Sequence, residues 1–254
     1  MSLNDYVKAQ KLGEKRYQAA LSKNEYPYLP VLDELITNSD IAGEVNLGLQ
    51  HISLDRVVGT ATKGRTTAFA SNFMPILDAN SEFGNKWSSL CDSHIEEGIH
   101  DPIKVYEYMN KFYVIEGNKR VSVLKYFGAS SVPGVVTRIL PPYSDAPEIR
   151  LYYEFVQYYP IIKTYLLQFT KPGSFARLQK ALGKQPDEVW SNEDRAEMLS
   201  LYNWVGKAFT AHGGDRLHCT LGDVLLLLLR VYPKKELQDS TPAQLTEKLD
   251  ALWD

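Results

Sequence analysis

The stretch from Asp101 to Gly128 constrains the fold more than any other part of the chain. It reads as strand, hairpin and strand, after which Gly117 turns the backbone into a helix that ends at Phe127-Gly128. A glycine at a strand-to-helix turn lets the backbone approach a ligand closely. The first-turn N–H groups have no intrahelical partner, and the positive end of the helix dipole favours an anion. Lys119 and Arg120 add positive charge beside that turn. Two readings follow, a phosphate cradle and an ordinary solvated helix start, and basic residues after a glycine fit either.

The residues around this segment resemble a known family. Ser93-His-Ile-Glu-Glu-Gly98-Ile-His-Asp-Pro102-Ile, the hairpin, Glu116-Gly-Asn-Lys-Arg120 and Phe127-Gly128 are similar to the amino-terminal domain of ParB-type partition proteins and the related sulfiredoxin fold. The likeness runs upstream through Val45 to Val58 and downstream to Val132-Pro-Gly-Val-Val-Thr-Arg-Ile139, so it covers about residues 45 to 140. It implies an α+β chain: a ParB/sulfiredoxin-like mixed α/β domain over 45–140, with a helical extension over 1–44 and an all-α helical domain after it. In that family the turn carries a Gly-Glu-Arg-Arg type phosphate motif, and members bind or turn over nucleotides. Gly117 and Arg120 match it, Lys119 preserves charge and Asn118 departs from it.

The departure matters because sulfiredoxins place their nucleophilic cysteine there, and an amide cannot attack as a thiolate does. What the resemblance leaves is phosphate or nucleotide binding by Gly117, Asn118, Lys119 and Arg120, with ATP, ADP or CTP as ligand and Mg²⁺ as an optional companion. Arg65, in Gly64-Arg65-Thr-Thr, falls where relatives often carry a second phosphate-facing arginine, and a solvent-facing loop arginine fits equally well. Alternatives on the same fold are a DNA-binding protein, a nuclease or a nucleotide-dependent phosphotransferase. Catalysis would need a carboxylate near the phosphate, and Glu116, Asp101 and Glu97 are the candidates, Glu116 first. Strand residues alternate direction, so Glu116 equally suits a salt bridge. More loosely, the chain resembles the amino-terminal part of uncharacterised proteins in which a basic-membrane-protein type substrate-binding domain follows, which implies a fragment or a shortened relative.

Charge narrows the partners. Lys plus Arg is 28 against 31 for Asp plus Glu, a net charge of −3, so no whole-molecule attraction to nucleic acid exists. Any polyanion contact must be local. One candidate is the helix expected over residues 4 to 22, where Lys8, Lys11, Lys15 and Arg16 cluster, though lysines on a helix also suit a solvated face. Two cysteines, Cys91 and Cys219, are too few for a disulfide framework and fit a reducing compartment, and the cytoplasm is expected. The longest apolar run, Val224 to Leu229, is far below the roughly 20 residues of a membrane span. Cys91 with His94, and His212 with His218 and Cys219, lack the ligand set of a structural zinc site, so no metal site built from Cys and His is expected.

The remaining pattern predicts a short helix over Val31 to Thr37, a strand or strand pair over 45 to 58, and helices over Ala70 to Asp78 and Ser81 to Glu97. Pro141-Pro142-Tyr-Ser-Asp-Ala-Pro147 has linker composition. Over 148–254 six helices are expected: Glu148–Tyr159, Ile161–Phe169, Ser174–Leu182, Glu193–Thr210, Leu221–Val231 and Ala243–Leu252. Tyr152, Tyr153, Phe155, Tyr158, Tyr159, Tyr165 and Phe169 suit core packing or, less simply, a base-stacking platform. Phe175 to Trp190 has the rhythm of helix-turn-helix, but Asp187, Glu188, Glu193, Asp194 and Glu197 would set like charge against phosphates. A protein partner for the helical region is the stronger expectation.

Overall fold

The structure, a computed structural model, describes residues 2–37, 40–211, 213–214 and 218–253. The fold is mixed α+β, and the chain divides into two compact units, Met1–Pro142 and Tyr143–Asp254. In the first unit, α1 (Ser2–Ser22) and α2 (Leu32–Leu35) precede β1 (Gly43–Ser53) and β2 (Val57–Thr60). After these come α3 (Glu82–Glu96), β3 (Ile103–Tyr108), β4 (Lys111–Glu116), α4 (Asn118–Tyr126) and β5 (Ser131–Leu140). The five strands form one sheet in the order β1-β5-β3-β4-β2. β1 with β5 and β3 with β4 pair antiparallel, whereas β3 with β5 and β2 with β4 pair parallel. Bringing β5 beside β3 requires a crossover, and α4 supplies it.

Alternation along the strands gives the sheet two unlike faces. Ile103, Val105, Val132 and Val136 are fully buried on one of them. A helical layer supplies the cluster of Tyr6, Ala9, Met74, Trp87, Cys91 and Val123, in which α1, α3 and α4 meet. Trp87 is fully buried there and donates its indole N–H to Ser122 Oγ at 2.8 Å, so its one polar atom is satisfied. α1 lies close against the segment before α3, with Gly13 facing the Pro75 carbonyl and Tyr6 Oη and Gln10 Nε2 each donating to Leu77 O at 2.9 Å. A second cluster joins Leu32 and Ile36 to Tyr113 and Ile139, with Tyr106 and Tyr108 packed against it.

Two expected helices do not form. Residues 70–78 are irregular, because Asn72 Oδ1 accepts from the Met74 amide, Phe73 takes φ +66 and Ala70 N bonds Met74 O, which closes a turn over Ser71–Phe73 just before Pro75. Extended bridges pair Ala70 with Tyr28 and Phe69 with Pro75. In the second unit α5 (Pro147–Ile162) continues through Pro160 and stops where Lys163 takes a left-handed conformation, φ 49, so residues 163–169 run on without a helix. α6 (Ser174–Ala181), α7 (Asn192–Ala211), α8 (Leu221–Val231), α9 (Lys234–Asp239) and α10 (Pro242–Trp253) complete that unit. Among the described residues no helix is long and apolar enough to cross a membrane.

Candidate functional site

The site singled out from the sequence is the junction of β4 and α4. Gly117 takes φ 110, ψ 20, a region that L side chains rarely adopt, and its carbonyl accepts the first helical bond from Val121 N at 3.0 Å. Ile103 of the neighbouring strand lies beneath it, and a Cβ at position 117 would fall 2.6 Å from Ile103 Cγ2. Gly117 caps α4 without a side chain, and no side-chain acceptor among the described residues reaches the amides of Asn118 or Arg120. The Asn118 and Arg120 amides are therefore left as donors, beside the partial positive charge of a helix start that has no side-chain cap.

The side chains of Asn118, Lys119 and Arg120 each have a partner within the protein. Asn118 turns inward: its Nδ2 donates to Thr60 Oγ1 at 3.2 Å, and Thr60 Oγ1 donates in turn to Val114 O at 3.0 Å. This ties the end of β2 to the first residue of α4. Asn118 Oδ1 is buried with no hydrogen-bond donor. Lys119 places its ammonium 4.8 Å from the centroid of the Phe83 ring. Arg120 donates from Nη1 to Pro102 O at 2.5 Å and Asp101 O at 3.3 Å, and its Nη2 lies 3.4 Å from Glu116 Oε1. Its guanidinium thus bridges the start of α4 to the entry of β3. Arg65 belongs to a 3-10 turn, Lys63–Ala68, that follows β2, and its side chain lies outside the described residues.

Glu116 is exposed and takes part in two ion pairs, with Lys104 Nζ at 2.8 Å and Arg120 at 3.4 Å. The bond and charge of Lys104, seconded by Arg120, hold its carboxyl below the usual carboxylate range. A carboxylate so stabilised is a weaker proton acceptor at neutral pH, which suits an electrostatic partner better than a general base. Asp101 contributes its backbone carbonyl to the Arg120 bridge. Glu97 sits at the C-cap of α3, where its carbonyl bonds the His100 ring at 2.7 Å.

A further cation of α4, Lys125, is similarly engaged. Lys125 lies 5.3 Å from the centroid of Phe73, and burial pushes its ammonium below the usual lysine range. In the helical unit, residues 182–191 form no recognition helix; α7 begins at Asn192. That loop is instead pinned by Gln179, whose Nε2 donates to Gln185 O and Glu188 O and whose Oε1 accepts from Trp190 Nε1 at 2.6 Å. The aromatic band packs on itself: Phe155 meets Tyr165 at 5.3 Å and Tyr158 stacks on Phe175 at 5.3 Å. Cys91 is buried and lies among no group of three metal-ligating residues, and no such group occurs among the described residues; His212 lies outside them.

Sequence reasoning missed several of these contacts. Thr60 ends β2 and holds Asn118. The Asp101 and Pro102 carbonyls that occupy Arg120 leave no side-chain signal. Glu107 and Arg138, at paired positions of β3 and β5, form a buried ion pair, with Glu107 Oε1 also accepting from Asn110 N at 2.8 Å. Neither a protein-family model nor a curated protein matches the chain.

Proposed function

We propose that the first unit is a phosphate-binding module of the ParB/sulfiredoxin-like type, and that it holds the phosphate of a nucleotide at the turn around Gly117. The observation that carries this reading is the start of α4: a left-handed glycine with no capping side chain, which leaves backbone donors and the positive helix end to meet an anion. The resemblance of Glu116-Gly-Asn-Lys-Arg120 to the family's phosphate motif supports it. Backbone amides are the primary ligands in this reading. Arg120 acts first as a brace, and Lys119 contributes charge from its place over Phe83. The role is regulatory or sensory rather than catalytic, since Glu116, the carboxylate next to the turn, is committed to Lys104 and Arg120. Two free cysteines, one of them buried, fit our assignment to the cytoplasm.

The test is a thermal-shift panel of ATP, ADP, CTP, GTP and inorganic phosphate, with and without Mg²⁺. A ligand at 100 times its dissociation constant stabilises the native state by about 2.7 kcal/mol. At least one nucleotide is expected to raise the melting temperature of the wild type, and Gly117→Ala is expected to lose that rise relative to its own unliganded baseline. No shift with any of these anions refutes the reading.

A further inference from the structure

We propose that the outward face of α1 docks an acidic, amphipathic helical segment of a partner protein. The inner face of α1 is fully committed. Tyr6, Ala9 and Ala20 are buried, Gly13 abuts the Pro75 carbonyl, and Arg16 Nε donates to Ser71 Oγ at 2.8 Å, so the helix is held fast to its unit. Lys8, Lys11 and Lys15 are spaced three and four apart and therefore share one solvent-facing stripe, about 10 Å long by helical rise. Lys8 meets only a distant Asp5 carboxylate, at 3.7 Å, and Lys11 and Lys15 carry no ion pair among the described residues. Within a chain of net charge −3, this stripe is a local reversal of sign on a rigid support.

Beside the stripe Leu12 is 49% exposed, at i+4 from Lys8 and i−3 from Lys15. The pairing of cations with an exposed leucine selects the class of partner. A phosphate backbone offers nothing apolar to Leu12. A helix with carboxylates at matching spacing and an apolar residue at its edge satisfies both features, with charge governing encounter and Leu12 burial adding contact.

The experiment titrates isotope-labelled full chain with a synthetic amphipathic helix bearing Glu residues spaced three and four apart and a flanking row of Leu. Amide shifts confined to α1 are expected, weakening as salt rises. Lys11→Glu with Lys15→Glu is expected to reduce affinity about tenfold or more. Leu12→Ser should weaken binding as well while keeping its salt dependence. All three positions are exposed, so melting temperatures matching the wild type certify the variants. Absent or scattered shifts overturn the proposal, as does binding that survives the double reversal. Duplex DNA that shifts the same amides more strongly than the peptide also overturns it, in favour of nucleic acid.

Discussion

Replacing Gly117 by alanine probes the site and the fold together, and Gly128 provides the control. Both glycines have positive φ, +110 and +73, so an L side chain at either position enters a disfavoured region at a cost of about 1–2 kcal/mol. They differ in what a new methyl meets. Around Gly128 there is nothing within 4 Å, whereas at Gly117 the methyl would lie 2.6 Å from Ile103 Cγ2 and 3.1 Å from Ile103 Cβ. Ile103 is fully buried in the central strand β3 and cannot step aside freely, so overpacking adds about 1–3 kcal/mol. Gly117→Ala should therefore cost about 2–5 kcal/mol against about 1–2 for Gly128→Ala. In calorimetry that is a fall of roughly 6–15 °C against roughly 3–6 °C for the transition of the first unit. Equal falls for the two variants would refute the claim that Ile103 presses against this turn, and with it the reason a glycine is required at the mouth of the site.

Three further outcomes are expected. Glu107→Ala removes the carboxylate that pairs with the buried Arg138 guanidinium and should cost about 3–5 kcal/mol, whereas the double replacement Glu107→Leu with Arg138→Met should restore most of it; urea unfolding decides between them. Gln179→Ala removes the partner of Trp190 Nε1 and of two carbonyls and should lower the stability of the helical unit by about 2–4 kcal/mol, read by calorimetry. The Ser191 amide, followed by Lys184 and the Ser191 hydroxyl, holds the Asp194 carboxyl at about 2, below its ordinary 3.8. Its contribution is therefore complete above about pH 4 and is lost as acid carries the carboxyl through about pH 2. An acid titration of helical-unit stability should show that loss, and Asp194→Asn should flatten it.

What was legible in the sequence follows from how local its cause is. The run from Asp101 to Gly128 becomes β3, β4 and α4 as read, because alternation, a two-residue hairpin and a glycine turn are all encoded within neighbours. Ser81 caps α3 by accepting from Gly84 N, and Gly98 lies beyond its end at φ +83, again local signals. Residues 70–78 carry a local warning against helix in Pro75 and Asn72, and their extended pairing with Tyr28 adds a cause that lies distant in sequence. Pro160 suggested a break one turn too early, since a proline in the last turn disturbs little of what precedes it and Lys163 supplies the actual stop. The turn at Gly117 was visible in advance. The destinations of Asn118, Lys119 and Arg120 were not, because Thr60, Phe83 and the Asp101 and Pro102 carbonyls are distant in sequence.

Those destinations shape how an anion would be held on the proposed reading. A cation that must leave its partner to reach a ligand gives up what it had, and the losses here are unequal. The Arg120–Glu116 contact is long and Glu116 is more than half exposed, so solvent screens it and releasing it costs little. The two carbonyl bonds of Arg120 are different, since charge-assisted bonds to backbone are worth about 1.5–3 kcal/mol each and their loss would leave the entry of β3 unsupported. It follows that Arg120 keeps its carbonyls while a ligand binds and offers only its remaining donors, on the edge now turned to Glu116. A lysine there would retain the charge but not the fork that serves both tasks at once. Selectivity at such a turn rests on backbone geometry, which Gly117 and Ile103 fix, more than on the number of positive side chains nearby.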